Sequence, residues 1–594
     1  MQRNVWAIAA VALLIAVSFY LGARSSRSAN STPDFLLARR RVRSRRNAAA
    51  ISGEYLSAAS FLGIAGLILK QGAGALWYPV GFTAGYLALL LFVAAPLRRS
   101  GAYTVPDFVE ARLGSPGLRN LSTVVAILIG FLYLVPQLQG AGLALSEILP
   151  VPIWVGAVLV MLVVLINVLG GGMRAATTVQ AFQYWIKLFA IAAPTFVFCA
   201  VFLTGGSLHT QRLSAPSGPR FSSATTITMP ATEQLQVSAP TRLRADGMVD
   251  HAPTNGGVFW APPGDHTVGK GTTLSFAAGA GVPVVAGAPV KNSTWLRPGP
   301  GASDLLDNYS LLFALFAGTM GLPHVLVRFY TNPDGRAARR TTLHVLVLLG
   351  LFYLFPTILG ALSRLYVPEL LVTGKTDAAV LLLPSRLLGG LAGQIVGAVL
   401  AAGAFAAFLS TCSGLLVSLA GVFSTDALSG RVRDFKFAAV LTGAVPLALA
   451  LLLRPGDIST AVGMAFALAA STFCPVLVLG IWWRKLTWVG AACSMVAGGG
   501  LVIAALTLNV VSVYTGGWAP ALLLQPALVT VPVAFLVAIG VSKGTKGRVP
   551  ADLNNIFLRL HAPDPLGFTA DRDVARFGAL GERSAQARGR HRRG

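Results

Sequence analysis

Charge is scarce in this chain. Only 12% of its 594 residues are Asp, Glu, Lys or Arg, against roughly a quarter in soluble globular proteins. That shortage excludes an ordinary soluble enzyme. Acidic residues are scarcer than basic ones, 22 against 47, for a net charge of +25. Nucleic-acid binders share such an excess, but they display it on a soluble domain. Here the basic residues sit in short connectors and a tail, so nucleic acid is not an expected partner. Cysteine is nearly absent. Cys199, Cys412, Cys474 and Cys493 all fall in apolar stretches without CxxC or metal-ligand spacing, which argues against a disulfide framework or a zinc site. The seven histidines do not cluster. There is no HExxH, no GxSxG and no P-loop, so no cofactor, catalysis or ATP hydrolysis is expected.

What the chain has is apolar length: 54% of its residues are hydrophobic. About 20 apolar residues cross a bilayer as a helix, and the pattern predicts an all-α integral membrane protein with about thirteen crossings, for which the lipid bilayer is the solvent. The first, inside residues 1–48, is read as a retained transmembrane helix rather than a signal peptide, because no A-x-A cleavage site clearly follows it. Residues 49–205 and 307–483 hold five expected spans each. Residues 206–306 are a Gly-, Pro-, Ser- and Thr-rich loop, read as a tolerated insertion that is partly disordered or a small β-rich lid. Two further spans fill 484–541, and 542–594 form a basic tail. The stretch 387–424 is too long for one straight crossing and is expected to begin with a short helix outside the membrane. The basic runs RRRVRSRR, RRS, GRAARR, RVRDFK and WRK follow alternate spans. By the positive-inside rule that side is the cytoplasm, which puts the N-terminus outside and the C-terminus inside the cell membrane.

Three places inside the spans carry unexpected polarity. ISGEYLSAASFLGIAG, residues 51–66, mixes Gly53, Gly63 and Gly66 with Ser57, Ser60 and Glu54. Either the helix breaks here and frees carbonyls that can bind a cation, or the small residues serve close helix packing. AFAAFLSTCSGLL puts Ala407, Ser410 and Thr411 on one helix face, though hydroxyls in such helices also bond the carbonyl one turn back. FAGTMGLPHVLVRFYTNPDGRAARR, residues 316–340, can be interrupted at Gly318, Gly321 and Pro323, with His324 and Arg328 one turn apart. Gln137 and Gln139 either face a cavity or bond across helices. Glu147 and Lys187 are read as side chains near span ends that snorkel to the interface. The spacing of the two five-span blocks suggests a five-plus-five inverted repeat with an interrupted helix opening each half.

With GEYLSAASFLG, GAYTVPDFVEARLG, GLPHVLVRFYTNPDGRAARR and GMAFALAASTFCPVLVLGIWW in this order, the chain resembles the solute:sodium symporter family, in particular its cation/acetate (monocarboxylate) branch. The resemblance covers most of 30–545, the outside loop excepted. It implies a LeuT-type fold of two inverted repeats with extra helices before and after. It also implies a Na+ site of carbonyls at Gly53, Leu56 and Ala407 with hydroxyls at Ser410 and Thr411. Residues matching solute-facing positions are Ser57, Ser60, Gln137, Thr319 and Met320. His324 and Arg328 match an inner-gate motif. The chain departs from the pattern in its longer outside loop and in Glu54, where the branch often shows Asp. The expected function is import of a small monocarboxylate with a cation, Na+ or H+, by alternating access. The alternatives are another cargo (proline, a sugar, a vitamin) or a membrane sensor.

Overall fold

The structure, a computed structural model, describes residues 4–26, 42–204, 217–297, 302–428, 432–453, 457–515 and 518–566. The basic tail after 566 and the first basic run up to residue 41 lie outside the described residues. Long helices dominate: α1 (Val5–Ser26), α2 (Ser44–Tyr55), α3 (Ile64–Gln71), α4 (Trp77–Phe92), α5 (Pro116–Ile148), α6 (Ile153–Thr204), α7 (Ala302–Gly321), α8 (Gly335–Tyr366), α9 (Gly390–Asp426), α10 (Val432–Leu452), α11 (Ile458–Trp482), α12 (Trp488–Thr515) and α13 (Ala527–Gly544). Their outward faces carry exposed Leu13, Phe189, Phe196, Leu354 and Leu536, which suits hydrocarbon as the surrounding solvent.

Among the described residues, eleven helical stretches are long and apolar enough to cross a membrane, where the sequence predicts thirteen crossings. The counts differ at two stretches. Ala59–Phe92 runs through Gly72, whose φ is +67°. The 52 residues of α6 run through Gly172, with φ 55° and ψ −157°. A straight helix of that length would extend about 78 Å, against a hydrocarbon core of about 30 Å. The expectation for 387–424 is corrected. α9 is one continuous helix of 37 residues, and the short helix, Ala379–Leu387, is separate from it. Gly389 and Gly390, both at positive φ, make the corner between them.

Two helices break inside the bundle. α2 ends at Tyr55, Leu56 leaves helical geometry at ψ 82°, and a π-helical turn, Ala59–Gly63, leads into α3. α7 ends at Gly321, Leu322 is extended, and Pro323 opens a short helix, Pro323–Val327, at the first position, where its missing N–H costs nothing. Both breaks fall where the sequence concentrates Gly, Ser and Pro.

The basic connectors gather on one face. Arg98 donates to the Asn332 carbonyl at 2.6 Å, and Arg99 pairs with Asp564 at 3.0 Å. Arg112 donates to the Gly480 carbonyl at 2.7 Å, and Arg119 to Asp426 at 3.0 Å. At the opposite end Lys70 pairs with Asp457 at 3.1 Å. There too sits the insertion, which is an antiparallel sheet in the order β1-β6-β3-β5-β2-β7, with β4 on β3. The strands are β1 (Thr225–Thr228), β2 (Glu233–Val237), β3 (Thr241–Val249), β4 (Ala252–Ala261), β5 (Gly264–Val268), β6 (Thr273–Phe276) and β7 (Val284–Val285). One side buries Leu235, Leu243, Val249, Val268, Leu274 and Phe276. Of the alternatives for this loop, the β-rich one describes residues 217–297. The sheet is anchored by Trp295, whose indole N–H bonds the Ile68 and Leu69 carbonyls at 2.8 and 3.1 Å, and by Arg364, which donates to Asn292 at 3.0 Å.

Candidate functional site

The break after α2 strips several carbonyls of their helical partners, and buried carbonyls need donors. α9 supplies them. The Ser410 hydroxyl lies 2.6 Å from the Gly53 carbonyl and 3.2 Å from that of Ala407, and the Thr411 hydroxyl lies 2.7 Å from the Glu54 carbonyl. Gly53, Leu56, Ala407, Ser410 and Thr411 thus come together, all buried. Thr411 engages Glu54 rather than Gly53 or Leu56. Just past the break, the free N–H of Ala58 is taken by the Gln137 side-chain oxygen at 2.9 Å.

Lys187 is the residue of this candidate site whose position the sequence does not foretell. It does not snorkel at a span end. It is 0% exposed, and its Nζ donates to the carbonyl of Gly53, to that of Leu56 at 2.7 Å and to the Ser410 hydroxyl at 2.9 Å. An ammonium has three N–H bonds and no acceptor, so these three oxygens satisfy it. The placement follows from close packing of α6 on α2. Any side chain on Gly53 would strike the Gln180 carbonyl. Gln180, one heptad before Lys187 on the same face, donates to the Ser410 carbonyl at 2.8 Å. The available signal was the polar stripe Gln180, Gln183, Lys187 in an apolar helix: a charge at that depth calls for named partners.

Below the break lies an ion pair. Arg328 Nε meets Glu54 Oε2 at 2.7 Å, both side chains 1% exposed. The same guanidinium donates to Thr177 at 2.9 Å and to the Gln180 side-chain oxygen. Gly414 makes room for the Glu54 carboxyl, which would overlap any side chain there. Arg328 therefore ties the end of the α7 segment to α2 and α6. His324 is buried beside Tyr133, ring centroids 5.0 Å apart.

The expected solute-facing residues surround the break on its other side. Ser60 bonds Tyr353 at 3.0 Å, and Thr319 bonds Tyr55 at 2.9 Å. Tyr55 stands edge-on to Phe82, Tyr86 and Phe466, with centroids 5.7, 4.6 and 6.0 Å away. Ser57, Gln137 and Met320 are buried in the same bundle. Gln139 instead points across to α10, donating to the Ala450 and Leu453 carbonyls. Among the described residues no three His, Cys, Asp or Glu side chains converge; the oxygens at the break are carbonyls and hydroxyls.

A multi-helix membrane protein whose two broken helices meet a hydroxyl-bearing helix has the build of an ion-coupled carrier. The profile of the sodium:solute symporter family matches residues 35–229 and 288–498, and the chain belongs to that family. Its relatives include an uncharacterized symporter, YwcA, of Bacillus subtilis, 28% identical over 89% of this chain and 92% of the relative. Another is a monocarboxylic acid transporter of Corynebacterium glutamicum, 29% identical over 89% of each. Among solved structures, a Na+-coupled sialic acid symporter in a substrate-bound outward-open state superposes with a TM-score of 0.60 at 14% identity, over 91% of this chain and 97% of that one. The fold is thus that of the LeuT-type sodium symporters, and the protein is a transporter, not an enzyme. The family's sodium is a transported coupling ion rather than a bound cofactor. The unmatched residues 230–287 fall within the sheet insertion.

Proposed function

We propose that this protein is a secondary active symporter that brings a small, acetate-like monocarboxylate into the cell together with a cation by alternating access. Family membership favours Na+ as that cation, with H+ the alternative. In this reading 49–205 and 307–483 are the two five-helix repeats, the face bearing Arg98, Arg112 and Arg119 is cytoplasmic, and the N-terminus lies outside. The observation that carries it is the meeting of the α2 break with Ser410 and Thr411 around one buried positive charge. Carbonyls and hydroxyls there can take the place of water around a cationic group without a carboxylate in contact. Ser57, Ser60, Gln137, Thr319 and Met320 would line the solute position. The relative named as a monocarboxylic acid transporter supports the cargo.

The test is uptake of labelled acetate into proteoliposomes with sodium and pH gradients imposed separately. Accumulation above protein-free vesicles under at least one gradient is expected, competed by other short carboxylates and not by proline, a sugar or a vitamin. A folded Ser410→Ala, Thr411→Ala variant with full gradient-driven uptake would remove the break as the coupling site.

A further inference from the structure

The oxygens expected to replace water around sodium are already in use. Gly53, Leu56 and Ser410 each accept a hydrogen bond from Lys187, whose ammonium is closed off from solvent. The same Ser410 hydroxyl donates its own O–H to the Gly53 or Ala407 carbonyl, so the oxygens of Gly53, Leu56, Ala407 and Ser410 all have partners. A sodium ion at this position would need the same carbonyl and hydroxyl lone pairs. It would also stand against a second unit charge with no water between them. Glu54 lies near enough to act on Lys187 by charge, but it is already paired with Arg328, so the cluster holds no excess negative charge for a second cation.

We propose that Lys187 is the resident cation of this position. Its ammonium, carried on α6, joins the broken α2 to α9 as a free sodium would, so wild-type protein does not bind sodium at these oxygens. Removing the ammonium turns the cluster into a sodium site. The inference rests on reading the break as the cation position and deepens it by naming the occupant. Any sodium the wild type carries is then held elsewhere. The tether has a mechanical consequence. α2 and α9 can part only if the Lys187 side chain or α6 itself moves, so the coupling element between them is covalently part of the first five-span block.

Radioactive sodium binding to the purified full-length chain in lipid nanodiscs tests this without a solute. Wild type should show no sodium binding that Ser410→Ala removes. Lys187→Met should gain one bound sodium per chain, lost again in Lys187→Met with Ser410→Ala, and a sodium-specific rise in unfolding temperature over choline. Lys187→Ala serves as a second variant if Lys187→Met does not fold. Wild-type sodium binding abolished by Ser410→Ala overturns the proposal, as does a folded Lys187→Met that binds none. Wild-type binding insensitive to Ser410→Ala agrees with it. If neither lysine variant folds, the wild-type comparison alone decides. A failure of acetate uptake would overturn the monocarboxylate reading and leave this result standing.

Discussion

Arg328 and Glu54 are two charges that lipid and protein have taken out of water together. Each is 1% exposed, and their contact is 2.7 Å. Removing one partner of such a pair strands the other, at a cost of about 3–5 kcal/mol, whereas removing both costs far less. Arg328→Met and Glu54→Gln should therefore each lower the unfolding temperature, and the double variant should lie well above the sum of the two losses. Thermal unfolding of all four proteins in one detergent measures the coupling; additive losses would show that the pair does not act as a unit. The sequence made Glu54, Arg328, Ser410 and Thr411 visible because polar residues are rare inside spans. It hid the pairing of Glu54 with Arg328, which are 274 residues apart in sequence. Lys187 was hidden differently. The stripe Gln180, Gln183 and Lys187 marks a polar face of α6, but which helix that face meets depends on how α6 lies against Gly53, and sequence does not report that.

At the scale of elements, breaks were more legible than boundaries. Gly, Ser and Pro in 51–66 and 316–323 weaken helix continuity locally, and both helices part there. The sheet was legible only as a composition shift, because strands of four or five residues among Gly and Pro carry little periodicity. The alternation in TRLRADGMV, buried at Thr241, Leu243, Ala245 and Val249, was its best signal. Its anchor can be tested. Trp295→Phe removes the indole donor from the end of α3 and the larger ring beneath Arg364, 5.0 Å from the guanidinium. A loss of about 1–3 kcal/mol is expected, read as a lower unfolding temperature with easier proteolysis within 217–297. The sheet should also respond to pH. Burial alone would raise the Asp250 carboxyl, but hydrogen bonds from His266 and the Thr267 amide outweigh it and hold it below 3.8. Burial would lower His266, but the bonds to Asp250 and the Pro262 carbonyl outweigh it and hold it above 6.5. The Asp250 contribution is present above 3.8 and fades as pH falls through its lowered value. The His266 contribution is present below 6.5 and fades as pH rises through its raised value. Stability from this pair is therefore greatest between those limits, though modest, since Asp250 is half exposed. Hydrogen exchange of β3 and β5 in the full chain, corrected for intrinsic rates, should show that window, and Asp250→Asn should flatten it.

For the whole molecule the question is net charge moved per cycle. Arg98, Arg112 and Arg119 hold the ends of several helices together on one face, while Lys70, Trp295 and Arg364 tie the other. Each face thus carries its own set of contacts, on either side of the central break. Glu54 and Arg328 belong to the protein and return with it, as does the Lys187 ammonium while it keeps its proton, so they add nothing to the charge transported. What remains is the solute and its ion. A monocarboxylate entering alone would work against an inside-negative potential by about 2.3 kcal/mol per 100 mV. One accompanying monovalent cation cancels that; a second would reverse it, favouring accumulation roughly 40-fold at the same potential. With Lys187 seated at the α2 break, the neutral case calls for one transported cation per solute, held away from those oxygens. Initial rates of labelled acetate uptake should then be unchanged when a valinomycin-clamped potassium gradient makes proteoliposomes inside-negative, while still responding to the coupling-ion gradient. A several-fold acceleration by the potential would require a second transported cation per solute.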